Sequence, residues 1–161
     1  MKKSAMIGSD PTGIYTFYSL LNNAAPLSIT VFEKADQPGV VMPYSDEDNS
    51  RLMLANIASI EIPPIFITYL DWLKQQSAAH LARYNVDSEK LHDRQFLPRI
   101  LLGEYFHDRF LAVVAEAKKS GFHVEVHPNA EVTDIKADAD GVALSVNDAP
   151  FSRRFDLAVV A

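Results

Sequence analysis

A chain of 161 residues, 48% hydrophobic and 22% charged, is long enough for one soluble-type domain with a substantial core. Its net charge of −6, with no Lys/Arg run longer than two residues, argues against nucleic acid, whose binders carry a basic stripe. The absence of cysteine excludes disulfides, a thiolate nucleophile and a zinc ribbon.

Lys3 to Ile7 reads as a buried first strand, too short an apolar run for a signal peptide. A glycine-bounded turn follows, Gly8-Ser9-Asp10-Pro11-Thr12-Gly13, then a helix from Thr12 to Asn23 with Ile14, Phe17, Leu20 and Leu21 on one face. Ser28 to Glu33 reads as a second strand rich in β-branched and aromatic bulk. Strand, turn, helix and strand make one βαβ unit of the kind that grips a dinucleotide. The first glycine permits the tight turn, and the last lets helix and strand pack closely. The helix N-terminus offers N–H groups to a pyrophosphate, and an acid at the end of the second strand, here Glu33, takes a ribose hydroxyl. In the pattern G-x-G-x-x-G the middle glycine is Asp10, whose carboxylate adds bulk and like charge where a diphosphate would pass. The fold signal survives that change better than the binding signal does.

Asp36 to Gly39 marks a loop, and Gly39 to Ser59 lacks periodicity; its acidic run, Asp46-Glu47-Asp48, reads as a solvated loop tip. Pro63-Pro64 is expected to open a helix reaching about Ala82, with Phe66, Tyr69, Leu70 and Leu73 at helical spacing and Trp72 beside them. Ile57 to Leu73 is the most apolar stretch, but Glu61, the two prolines and Asp71 break it, so it cannot span a bilayer. A cytoplasmic, reduced setting is the default. Asn85 to Asp93 is a polar connection. A helix is expected from about Pro98 to Ser120, with Lys118 and Lys119 in its last turn and Gly121 as the capping glycine. Arg99, at the start of that helix, opposes the helix dipole. Contact with flavin, phosphate or substrate and a surface ion pair with the acidic loop both remain open for it.

The last third reads as β. His123, Glu125 and His127 share one face of a strand, a spacing that superficially resembles metal ligands, but no fourth ligand lies near and an exposed polar face is expected. Glu131 to Ala137 and Val142 to Val146 form a hairpin around Asp140-Gly141. Phe155 to Ala161 is nearly all apolar, as suits a strand buried on both faces of a parallel sheet. Such a strand at the very end points to a single domain, 1–161, cut from a longer protein. No serine sits in a nucleophile-elbow context with a His/Asp pair, so no catalytic residue is named.

Taken in order, several pieces resemble the N-terminal FAD-binding region of the bacterial FAD/NAD(P)-binding proteins, flavoproteins with a glutathione-reductase-type dinucleotide fold. They are Ile7-Gly8 with Pro11-Thr12-Gly13-Ile14-Tyr15, Thr30 to Lys34, Gly39 to Ser45, Leu54-Ala-Asn56, Pro98-Arg99 with Gly103 and Tyr105, and Asp156 to Ala161. The resemblance implies an α/β, Rossmann-like parallel sheet flanked by helices, with an antiparallel β-meander before the last strand. It implies FAD with its pyrophosphate over Gly8, Ser9, Asp10, Pro11, Thr12 and Gly13, its ribose on Glu33 beside Lys34, and its adenine on the backbone of Val132. In such flavoproteins the step after the last strand, here just past Ala161, runs close to the cofactor. Full-length relatives are expected to be flavin-dependent oxidoreductases using NAD(P)H, with Asp10 weakening the hold on FAD. The alternatives are a degenerate module that acts by protein interaction and a site for another nucleotide such as NAD or ADP. Expected partners are the dinucleotide and a second copy of the chain, with neither nucleic acid nor membrane.

Overall fold

The computed structural model describes residues 1–40 and 53–161. In chain order the elements are β1 (Lys3–Ile7), α1 (Pro11–Asn23), β2 (Ser28–Phe32), α2 (Tyr69–Lys74), α3 (Ala78–Ala82), α4 (Arg99–Lys119), β3 (His123–His127), β4 (Val132–Asp138), β5 (Gly141–Val146), β6 (Ala149–Pro150) and β7 (Leu157–Val160). They fall into two compact units, one of Met1–Gly39 and Phe110–Ala161, the other of Val40–Arg109.

The first unit is a parallel four-stranded sheet in the order β3-β2-β1-β7, with a separate antiparallel sheet β4-β5-β6. The expected α/β architecture with its late meander is what the chain adopts. The apolar runs explain it: Ala5, Met6, Ile29, Val31 and Phe32 are each at most 1% exposed, as strands covered on both faces must be. α1 begins at Pro11, where a missing N–H costs nothing, and buries Ile14 and Phe17; Leu20 and Leu21 are only half-buried. α4 matches its expected span and ends in a Schellman arrangement. The Gly121 N–H reaches the Lys118 carbonyl (3.3 Å) and the Phe122 N–H the Ala117 carbonyl (3.0 Å), with Gly121 at φ +89°. Ala5 and Phe32 from the parallel sheet, Val142 and Leu144 from the meander, and Ala130 and Phe155 from the connections form one buried cluster. The hairpin turns on Ala139-Asp140, since Asp138 pairs with Gly141.

Two expectations are corrected. β7 is parallel to β1 as anticipated, but it is not covered on both faces. Among the described residues it has β1 as its only sheet neighbour, and Leu157 and Val160 are 41% and 68% exposed. The helix expected from Pro63 to Ala82 is in fact two short helices in the second unit, preceded by an irregular segment. The Ile67 N–H bonds back to the Ile65 carbonyl (2.8 Å), with Phe66 between them at φ +64°. The buried Tyr105 hydroxyl holds this turn, accepting from the Ile65 N–H (3.2 Å) and donating to the Ile67 carbonyl (3.0 Å). Helix starts only where a cap is available: Thr68 Oγ1 takes the Asp71 N–H (3.0 Å), and Ser77 Oγ the His80 N–H (3.1 Å). Trp72, beside the expected apolar face, is 2% exposed and donates through Nε1 to Asp108 (2.9 Å). The acidic run at 46–48 lies outside the described residues.

Candidate functional site

The turn between β1 and α1 is held by the end of β2 and by two carboxylates. Gly8 sits at φ +94° and donates to the Phe32 carbonyl (2.8 Å), which ties the turn to the end of β2. Gly13 has a different reason. A Cβ there would lie 2.7 Å from the Gly8 carbonyl oxygen and 3.3 Å from the Ala161 Cβ, so only glycine lets α1 pass this close to the strand ends. Ala161 is held against the turn by its N–H, which donates to the Ile7 carbonyl (2.9 Å).

Asp10 is the N-cap of α1. Its backbone is ordinary extended chain (φ −67°, ψ 175°), so the position does not demand glycine, and Oδ1 accepts the Gly13 N–H at 2.9 Å. Glu33 follows β2 and is 3% exposed. Its Oε2 accepts from the Ser9 N–H (2.9 Å) and the Ser9 hydroxyl (2.6 Å), and its Oε1 from the Ala35 N–H (2.9 Å). Ser9 Oγ in turn accepts from the Gly39 N–H (2.8 Å). A buried carboxylate with three donors is well compensated, and it fastens the turn to the strand that carries the acid. The sequence points to Glu33 as a ligand group; its bonds to Ser9 become visible only once β1 and β2 are paired.

Beside the turn lies a cavity of about 160 Å³ lined by Ile7, Gly8, Phe32, Lys34, Ala130, Glu131 and Val132. Sites for drug-sized ligands are typically about 300–1,000 Å³, so this one has room for a single ring system. The structure thus brings together Gly8, Lys34 and Val132 around one hollow, with Glu33 and Ala161 next to its wall. Arg99 belongs to the other unit. There its Nε donates to the Leu54 carbonyl (3.2 Å) and its N–H to the Met53 carbonyl (2.8 Å).

The His123–Glu125–His127 face has a partner that sequence reasoning missed. Arg153 forks onto the Glu125 carboxylate with both terminal nitrogens, also donates to Thr30 Oγ1 (3.0 Å), and lies 5.4 Å from the Phe151 ring and 5.9 Å from the Phe155 ring. His123 and His127 reach the same carboxylate at 3.1 and 3.3 Å. The Arg153 hydrogen bonds, then that from His123, lower the Glu125 pKa to about 2. The signal available in sequence was a cation set between two aromatics, Phe151 and Phe155. In the second unit Glu104 binds both His80 (2.6 Å) and the Tyr84 hydroxyl. No group of three or more His, Cys, Asp or Glu among the described residues could hold a metal ion.

A parallel sheet whose first strand enters a helix through a glycine turn, with an acid closing the second strand, defines a dinucleotide-fold protein. Residues 5–161 match the FAD-NAD(P)-binding family, and the chain belongs to it. It is 59% identical over 161 residues to the uncharacterized protein YdhS of Escherichia coli (strain K12), covering all of this chain and 30% of that protein. Among solved structures it is similar to cyclohexanone monooxygenase in its cyclohexanone-bound, rotated conformation (TM-score 0.62, 17% identity, 99% of this chain and 27% of that one). It is also similar to S-allyl-L-cysteine S-oxygenase from Allium sativum (TM-score 0.54, 18% identity, 99% of this chain and 36% of that one). At these identities the likeness is one of fold. The chain spans under a third of the curated relative it matches. Among the described residues no helix is long and apolar enough to cross a membrane.

Proposed function

We propose that these 161 residues are the FAD-binding part of a flavin-dependent oxidoreductase that draws electrons from NAD(P)H in the longer protein. The observation that carries this reading is the hollow lined by Gly8, Lys34 and Val132 beside a glycine turn, in a chain of the FAD-NAD(P)-binding family. The residues fit the adenosine end of the cofactor. The hollow is of ring size, Val132 lines it, and the buried Glu33 carboxylate beside it, with two donors on Oε2 and one on Oε1, has acceptor capacity left on Oε1 for a ribose hydroxyl. Ser9, Asp10, Pro11 and Thr12 complete the turn over which the pyrophosphate would lie, with Gly13 keeping the helix close and Ala161 behind it. Bound FAD would supply the redox chemistry, and the chain binds and orients it.

Quenching of flavin fluorescence during titration with the chain, reversed by added ADP, is the expected result. A titration that leaves the fluorescence unchanged, or quenching that ADP does not reverse, would overturn the reading.

A further inference from the structure

We infer that Asp10 is a built-in substitute for the pyrophosphate, so that the site takes the uncharged adenosine end of a nucleotide without gaining affinity from phosphate. The inference rests on the proposed nucleotide site and specifies what that site prefers.

The donors of the turn can be followed one by one. The Gly8 N–H is spent on the Phe32 carbonyl and the Ser9 N–H on Glu33, and Pro11 has none. The Gly13 N–H is held by the Asp10 carboxylate at 2.9 Å, and the Ile14 N–H by the Asp10 carbonyl, also at 2.9 Å. Only the N–H groups of Asp10 and Thr12 are left without a partner in the turn among the described residues. A helix N-terminus attracts anions through free N–H groups and the positive end of the dipole. Here one anion is already in place, carried by the chain. A diphosphate arriving at the turn would meet like charge and would have to displace a satisfied cap. The adenosine hollow, by contrast, is lined by Ile7, Gly8, Phe32, Lys34 and the 130–132 segment, and Asp10 is not among its lining residues. The same carboxylate that repels phosphate also completes the helix cap, so the turn is formed before any ligand arrives.

The test compares adenosine and ADP by calorimetry on the 161-residue chain, its D10G variant and its D10N variant, with the folding of each checked by circular dichroism and thermal melting. The wild-type chain should bind ADP no more tightly than adenosine. D10G should bind ADP about tenfold more tightly than the wild type does, since hydrogen bonds to charged groups and dipole stabilisation together reach that size. Its ligand-free melting temperature should fall through loss of the cap. D10N keeps a capping oxygen without the charge, so it folds as the wild type does but, unlike the wild type, should favour ADP over adenosine. If the wild type already binds ADP about tenfold better than adenosine, or if D10N and D10G leave the ratio unchanged, Asp10 is not a phosphate substitute, although the nucleotide site stands. If none of the three folded proteins binds either ligand, the nucleotide reading itself fails, and this inference with it.

Discussion

Phe32→Ala is expected to remove about 3–5 kcal/mol of stability, the range for truncating a buried phenylalanine. Phe32 is 1% exposed and sits where the two sheets of the first unit share a core. Its ring lies edge-on to Phe151 (4.9 Å between centroids) and Phe155 (5.9 Å), and stacks on His127 (5.4 Å, 16° between planes). Offset and edge-to-face arrangements of this kind add to the area term, so little of the loss is recovered by collapse around the gap. Phe32 also walls the candidate nucleotide hollow, and its carbonyl anchors the Gly8 turn. Urea denaturation measures the change directly. A loss under about 1 kcal/mol would mean that the two sheets do not share this core, because a surface phenylalanine costs no more than that.

Gly13→Ala should be destabilising by about 2–3 kcal/mol, against the ordinary rule that alanine favours a helix over glycine by roughly 1 kcal/mol. The added methyl would sit 2.7 Å from the Gly8 carbonyl oxygen, a backbone atom fixed by the strand and unable to swing aside. α1 would have to lift away from β1, opening the layer that buries Ile14 and Phe17. Thermal melting should show a fall of roughly 4–12 °C for a domain of this size. A melting temperature equal to or above that of the wild type would show that helix propensity outweighs the close approach, and that the second glycine of the turn has no packing role.

The first 33 residues were the most legible part of the chain. A short apolar run, two glycines and an amphipathic helix repeat with different periods, and each period selects its element before any tertiary contact is known. The same holds for the Gly121 cap and the paired runs of the meander. Legibility ends where local pattern and tertiary context disagree. From Pro63 to Ala82 the spacing of Phe66, Tyr69, Leu70 and Leu73 mimics a helix, yet Ile65 and Ile67 are held in a turn by Tyr105, some 40 positions along the chain. The apolar run of β7 announces a strand but not how much of it is covered. At Asp10 a motif-based view registers a missing glycine. A view based on capping finds an aspartate three residues ahead of an open N–H, which is the role the structure gives it. The Glu33–Ser9 and Glu125–Arg153 partnerships join residues far apart in sequence, and no local rule could pair them.

Under the proposed function, the hollow beside the Gly8 turn receives the adenosine end of a nucleotide. Amide chemical shifts of the isotopically labelled chain, followed as adenosine is added, test it most directly. Shifts are expected to concentrate at Gly8, Lys34 and Ala130 to Val132, which line the hollow with Ile7 and Phe32. Shifts centred elsewhere, or an unchanged spectrum at saturating adenosine, would contradict it.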